Sequence, residues 1–193
     1  MKTAVVGSGA WGTALAMVLC RNGHEVTLWS HNPAKAAEMV RSRVNPMLED
    51  VTLPPELTVS GDPACVRGCG LVVMASPSCA IRAVCRTVAP ALDPRAVLVS
   101  VTKGIEEGTG YRMSELVSQE TGRTVVALSG PPHAQEVRRR ISTGLVVACP
   151  ERELAAPVQH ALMCSRFRVL TSPATSGSDP APAPTHVLPP FAV

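Results

Sequence analysis

The sequence predicts an α/β fold, a mostly parallel sheet with helices on both faces, followed by a disordered proline-rich tail. Two patterns carry this expectation. The candidate strands are short, β-branched and apolar throughout rather than alternating, as in Leu71-Val72-Val73-Met74-Ala75, which argues for burial on both faces. Helical stretches separate most of them, and strand–helix alternation builds parallel sheets through right-handed crossovers. A length of 193 residues suits one domain with a tail.

The elements follow in order. Thr3 to Val6 reads as a buried strand, and Ala10 to Arg21 as a helix that Gly23 is placed to end. Glu25 to Trp29 is a second strand. Pro33 suits the first turn of a second helix running to about Arg43. A loop carrying Asn45-Pro46 and Pro54-Pro55 follows. Leu71 to Ala75, Ala96 to Val101, Thr124 to Ser129 and Thr143 to Cys149 complete six strands. Helices are expected near Ala80 to Ala89, Tyr111 to Glu120, Ala134 to Arg140 and Glu153 to Cys164. From Ala174 prolines recur, denying the backbone the donors and angles of a helix. Residues 174–193 are therefore expected to be disordered and partly polyproline.

Composition removes several functions. Aromatics are 3% and the net charge is +3 with scattered basic residues, so stacking platforms and a nucleic-acid footprint are both missing. The apolar runs are far shorter than a membrane span, and no signal peptide is evident. Seven cysteines without a disulfide-like spacing read as reduced thiols of a cytoplasmic protein. Cys65 and Cys69, with Cys79 and Cys85 beyond, read as buried thiols rather than a metal site. His160 and Cys164, four apart on the expected last helix, read as chance spacing. Arg138-Arg139-Arg140 reads as a solvated helix end.

One motif carries chemistry. Gly7-Ser8-Gly9-Ala10-Trp11-Gly12 is G-x-G-x-x-G, placed between a strand and a helix, the context that turns a weak pattern into a phosphate-binding turn. Gly7 permits the turn, Gly9 lets a pyrophosphate approach the backbone, and Gly12 lets the helix pack closely. The helix start then offers free amides and the positive end of its dipole. The plainer alternative is a glycine-rich turn that binds nothing. The fold expected is thus Rossmann-type. After the second strand stands Trp29-Ser30-His31-Asn32, without the acidic residue that selects NAD. A neutral or basic lip of His31 and Lys35 favours NADP, or dual use with NAD. The alternative for His31 is a loop cap. Lys103 follows a strand's carboxyl end, where ligands of open sheets bind, and an ammonium there neutralises a phosphate or polarises a ketone; the plainer alternative is a solvated loop lysine.

Several segments resemble the bacterial NAD(P)-dependent glycerol-3-phosphate dehydrogenases over residues 1–173. They are Gly7 to Ala16, Arg21 to His31, Val101-Thr102-Lys103-Gly104-Ile105-Glu106, Leu128-Ser129-Gly130-Pro131 with His133-Ala134, and Arg166 to Val169. The resemblance implies reduction of dihydroxyacetone phosphate to sn-glycerol 3-phosphate for phospholipid synthesis, with a homodimer in intact relatives. It implies cofactor contacts at Gly7, Gly9, Ala10, Trp11, Gly12, His31, Lys103 and Ala134, and substrate contacts at Lys103 and Gly130, with Lys103 also in the catalytic machinery. Pro132 departs from the family's Ser or Thr, and Asn45 to Asp50 departs from its aromatic and Leu-Pro pattern. After Pro173 the family's G-G-x-x-K-N segment, with its general-base lysine and a helical domain, is replaced by the proline-rich tail. The expectation is a cofactor domain at 1–173 and a tail at 174–193, with weak turnover. The rivals are a non-catalytic cofactor-binding remnant and a dehydrogenase of another substrate class.

Overall fold

The central strands bury their side chains alternately to two cores. The computed structural model describes residues 1–48, 51–130, 143–165 and 167–173. Its strands are β1 (Lys2–Val6), β2 (Glu25–Trp29), β3 (Thr58–Ser60), β4 (Leu71–Met74), β5 (Val97–Ser100), β6 (Val125–Ser129), β7 (Thr143–Ala148) and β8 (Phe167–Ser172). The helices are α1 (Ala10–Arg21), α2 (Pro33–Ser42), α3 (Ile81–Val88), α4 (Met113–Thr121) and α5 (Arg152–Leu162). Val5, Val73 and Val99 face one core with α1, α2 and α5. Ala4, Val6, Val72 and Leu98 face the other with α3 and α4. Helices on both sides explain why the strands are apolar at every position.

The eight strands form one sheet in the order β3-β2-β1-β4-β5-β6-β7-β8. The first six are mutually parallel, β7 runs antiparallel to β6, and β8 is parallel to β7. The 3-2-1-4-5-6 portion is the doubly wound dinucleotide-binding order, so the expected mostly parallel, Rossmann-type sheet is observed.

Local chemistry sets the helix ends. Asn32 Oδ1 accepts from the Lys35 amide at 3.1 Å, with Pro33 in the first turn of α2. At the end of α1 the Gly23 amide reaches Cys20 O at 2.9 Å and the His24 amide reaches Leu19 O at 3.1 Å. That is a Schellman closure, with Gly23 at φ +80°.

Four expectations need correction. The segment read as loop from Asn45 onward contains β3, three residues with one buried, which show no periodicity; pairing with Thr27–Trp29 makes it a strand. The six strands read from residue pattern also omit β8, which only the resemblance supplies, taking Arg166 to Val169 as the family's last strand. In β8 only Phe167 and Val169 are buried, and Leu170 is exposed. The last helix stops at Leu162, and Cys164 instead bridges to Phe167, so His160 and Cys164 do not share a helix. Of the four thiols read as buried, Cys69 and Cys85 are, Cys65 is partly so, and Cys79 is exposed. The expected helix at Ala134 to Arg140, Pro132, Ala134 and the tail lie outside the described residues. Among the described residues, no helix is long and apolar enough to cross a membrane.

Candidate cofactor-binding crevice

Strand order reverses between β1 and β4, so the chain leaves their carboxyl ends in opposite directions and opens a crevice. The glycine-rich turn closes it on the β1 side, and Ala75-Ser76-Pro77 on the β4 side. Two cavities meet here and share Gly9, Ser76 and Pro77. One, about 270 Å³, extends toward Trp11 and Lys103. The other, about 510 Å³, extends toward His31, Lys35 and the Ala83–Val84 face of α3.

The three glycines do different work. Gly7 has φ +129°, and a Cβ there would lie 2.6 Å from Ala75 O. A Cβ on Gly12 would lie 2.1 Å from Gly7 O and 3.1 Å from Ala75 Cβ, so Gly12 packs chiefly on the turn itself. A Cβ on Gly9 would meet no atom within 4 Å and would project into open space. Gly7 and Gly12 shape the turn, and the bare face of Gly9 remains for a ligand. The first turn of α1 has no side-chain cap and no acidic residue. Its leading amides have no partners within the helix, a fit for a pyrophosphate.

Residues remote in sequence hold the turn. Ser8 Oγ donates to Ser30 Oγ at 3.0 Å. Ser8 O accepts from Asn45 Nδ2 at 3.0 Å and from Lys35 Nζ at 3.4 Å. Asn45 is fully buried; its Nδ2 also reaches Thr13 Oγ1 at 2.6 Å, and its Oδ1 accepts from the Met47 amide at 3.0 Å. In the sequence Asn45 reads as an ordinary loop residue. Ser76, whose Oγ donates to Val6 O at 3.2 Å, carries no motif of its own. Its position after the strand beside β1 was the available signal.

At the β2 end Ser30 is engaged with Ser8 and Asn32 caps α2, so the cap is Asn32 and not His31. His31 and Lys35 are left on the lip of the larger cavity. Among the described residues, no carboxylate lines either cavity. At the other end Lys103 Nζ donates to Gly130 O at 3.3 Å. A Cβ on Gly130 would lie 3.8 Å from the Trp11 ring and 2.3 Å from the end of the Leu145 side chain. Burial pulls the Lys103 ammonium below the usual lysine range. The structure thus brings Gly7, Gly9, Ala10, Trp11, Gly12, His31 and Lys103 to one crevice, with Gly130 beside Lys103 and Trp11.

The loop carrying Lys103 is tied down by ions. Arg82 on α3 binds Glu106 through two bonds, Nε to Oε1 at 2.9 Å and Nη2 to Oε2 at 2.6 Å, and also reaches Glu120. Thr109 Oγ1 adds a bond to Glu106 at 2.6 Å. The Arg82 guanidinium, then the Thr109 hydroxyl, hold the Glu106 carboxyl down to about 2, from an ordinary value of 4.5. A depressed carboxylate stabilises the fold above its unfolded pKa and loses that contribution as pH falls through the folded one. We expect Glu106→Gln to melt below wild type at pH 7, and the gap between their melting temperatures to close from pH 4.5 down to about 2. A gap that stays constant over that range would contradict the pairing.

This arrangement defines a class: a dinucleotide-binding domain of the kind nicotinamide-dependent oxidoreductases use. Residues 2–155 match the family model described as NAD-dependent glycerol-3-phosphate dehydrogenase N-terminus, and the chain belongs to that family. It is 43% identical over 182 residues to a glycerol-3-phosphate dehydrogenase (NAD(P)+) of Pelotomaculum thermopropionicum, covering 91% of this chain and 52% of that one. Its identity to the enzyme of the same name from Geobacillus kaustophilus is 42% over 176 residues, covering 88% and 51%. Among solved structures, glycerol-3-phosphate dehydrogenase from Coxiella burnetii superposes with a TM-score of 0.83 at 31% identity, covering 89% of this chain and 53% of that one. The chain spans about half the length of the curated relatives it matches.

Proposed function

We propose that this chain holds NADP(H) or NAD(H) along the crevice as the cofactor-binding part of a cytoplasmic glycerol-3-phosphate dehydrogenase. The reaction is reduction of dihydroxyacetone phosphate to sn-glycerol 3-phosphate, and the assembly is the homodimer implied for intact relatives. Residues 1–173 form the cofactor domain. The observation that carries the reading is the junction of two cavities over the bare face of Gly9 at the uncapped start of α1.

The residues divide the work. Gly9, Ala10 and the start of α1 bind phosphate through backbone amides. His31 and Lys35 meet the ribose end, where two basic side chains and, among the described residues, no carboxylate suit a 2′-phosphate. Trp11 walls the opposite cavity, and Ala134 adds a cofactor contact. When bound, the nicotinamide supplies the hydride. Lys103 orients and polarises the ketone oxygen and neutralises substrate phosphate, and Gly130 shapes the substrate loop. The sequence contains three lysines, Lys2, Lys35 and Lys103. Lys103 alone therefore stands at the reacting end, supplying only part of the acid–base chemistry hydride transfer needs.

Titrating the 193-residue chain with NADPH and NADH, read by tryptophan quenching, tests this. We expect saturable binding with NADPH favoured about tenfold, the worth of one charge-assisted contact. His31→Ala with Lys35→Ala should erase the preference. Oxidation of NADPH with dihydroxyacetone phosphate should be slow. No saturation with either nucleotide would overturn the reading.

A further inference from the structure

Lys103 is a cation three residues from the Glu106 carboxylate, and the two side chains turn to different partners. Among the described residues, Lys103 joins no ion pair, and its bond runs to the Gly130 carbonyl. Three residues separate two Cα atoms by no more than about 10 Å, within the combined length of a lysine and a glutamate side chain. Glu106 instead turns onto α3. Both its oxygens are taken by Arg82, and Thr109 occupies the second. Its backbone is fixed as well, the amide to Tyr111 O at 2.8 Å and the carbonyl from the Gly110 amide at 3.0 Å. On the other flank Thr102 Oγ1 donates to Ser76 O at 2.9 Å. Lys103 and Gly104, the latter at φ +117°, thus bridge two anchored points.

We propose that Arg82 is a positioning residue that sequesters Glu106, so that Lys103 stays an unpaired cation directed at the crevice. This rests on the reading of Lys103 as the crevice cation. The charged neighbours are Arg82 and Arg86 on α3, Glu120 on α4, and exposed Glu107 beside Glu106. Arg86 also binds Glu120, with Nε to Oε2 at 2.8 Å, so losing Arg82 frees chiefly Glu106.

The three lysines make the test direct. Reductive ¹³C-methylation of the full chain gives a lysine NMR spectrum in which Lys103 is assigned by Lys103→Arg. In Arg82→Gln the freed Glu106 should raise the Lys103 titration midpoint by about one pH unit, a tenfold change in proton affinity. Arg82→Gln with Glu106→Gln should restore the wild-type midpoint. An unmoved midpoint in the single variant, or one still raised in the double, overturns the proposal. Glu106→Gln alone covers failure of Arg82→Gln to fold. It should leave Lys103 unmoved, and a lowered midpoint shows Glu106 already acting on Lys103. The titration needs no nucleotide, so it can fail or succeed whether or not the chain binds cofactor.

Discussion

Gly12→Ala is expected to cost about 3 kcal/mol of stability, the upper end for overpacking a tight site. The added methyl would lie 2.1 Å from Gly7 O, a backbone atom that cannot move aside without dragging the turn against β4. For a chain of this length the melting temperature should fall by about 10 °C, and NADPH should no longer raise it. Gly9→Ala is the matched control. Its methyl enters open space at φ −70°, so the free protein should melt within a degree or two of wild type. The same methyl stands where a pyrophosphate approaches, so the stabilisation by NADPH should be lost. Thermal melts of both variants with and without NADPH separate the two roles. Equal melting temperatures for the two free variants would refute the division of labour among the glycines.

Asn45→Ala is expected to have the second largest effect. It removes one amide that serves Ser8 O and Thr13 Oγ1, and one oxygen that serves the Met47 amide, all within or beside the core. Leaving buried polar groups without partners costs about 1–3 kcal/mol each. A loss of about 3 kcal/mol is expected because Lys35 still reaches Ser8 O. Binding of NADPH should weaken about tenfold as the turn loosens. Asn45→Asp keeps the shape and the acceptor but loses both donors and places a carboxylate beside the phosphate turn. It should bind NADPH more weakly than Asn45→Ala at pH 7. Calorimetric titration of both variants checks the order, and the reverse order would show that charge at this position is not felt by the ligand.

The turn, the helix that follows it and the central strands are legible in the sequence because each rests on local rules. G-x-G-x-x-G specifies its own geometry, and Leu71 to Met74 announces burial by lacking any polar position. Asn32-Pro33 and Gly23 mark helix ends by cap chemistry that spans four to six residues. The place of Lys103 at the crevice is legible because it follows a strand's carboxyl edge, where open sheets bind ligands. Segments without such rules were not legible. β3 is three residues that become a strand only because β2 offers an open edge.

Asn45 looks like any loop asparagine until the chain returns it to Ser8, 37 residues away. Arg82 and Glu106, 24 residues apart, pair only because α3 packs beside the loop after β5. The sequence by itself determined the class of fold, the glycine-rich turn and the absence of an acidic residue directly after β2, since each is set by neighbours along the chain. Tertiary structure alone decided what braces the turn and what Glu106 pairs with, because those contacts join residues whose separation along the chain carries no periodic signal.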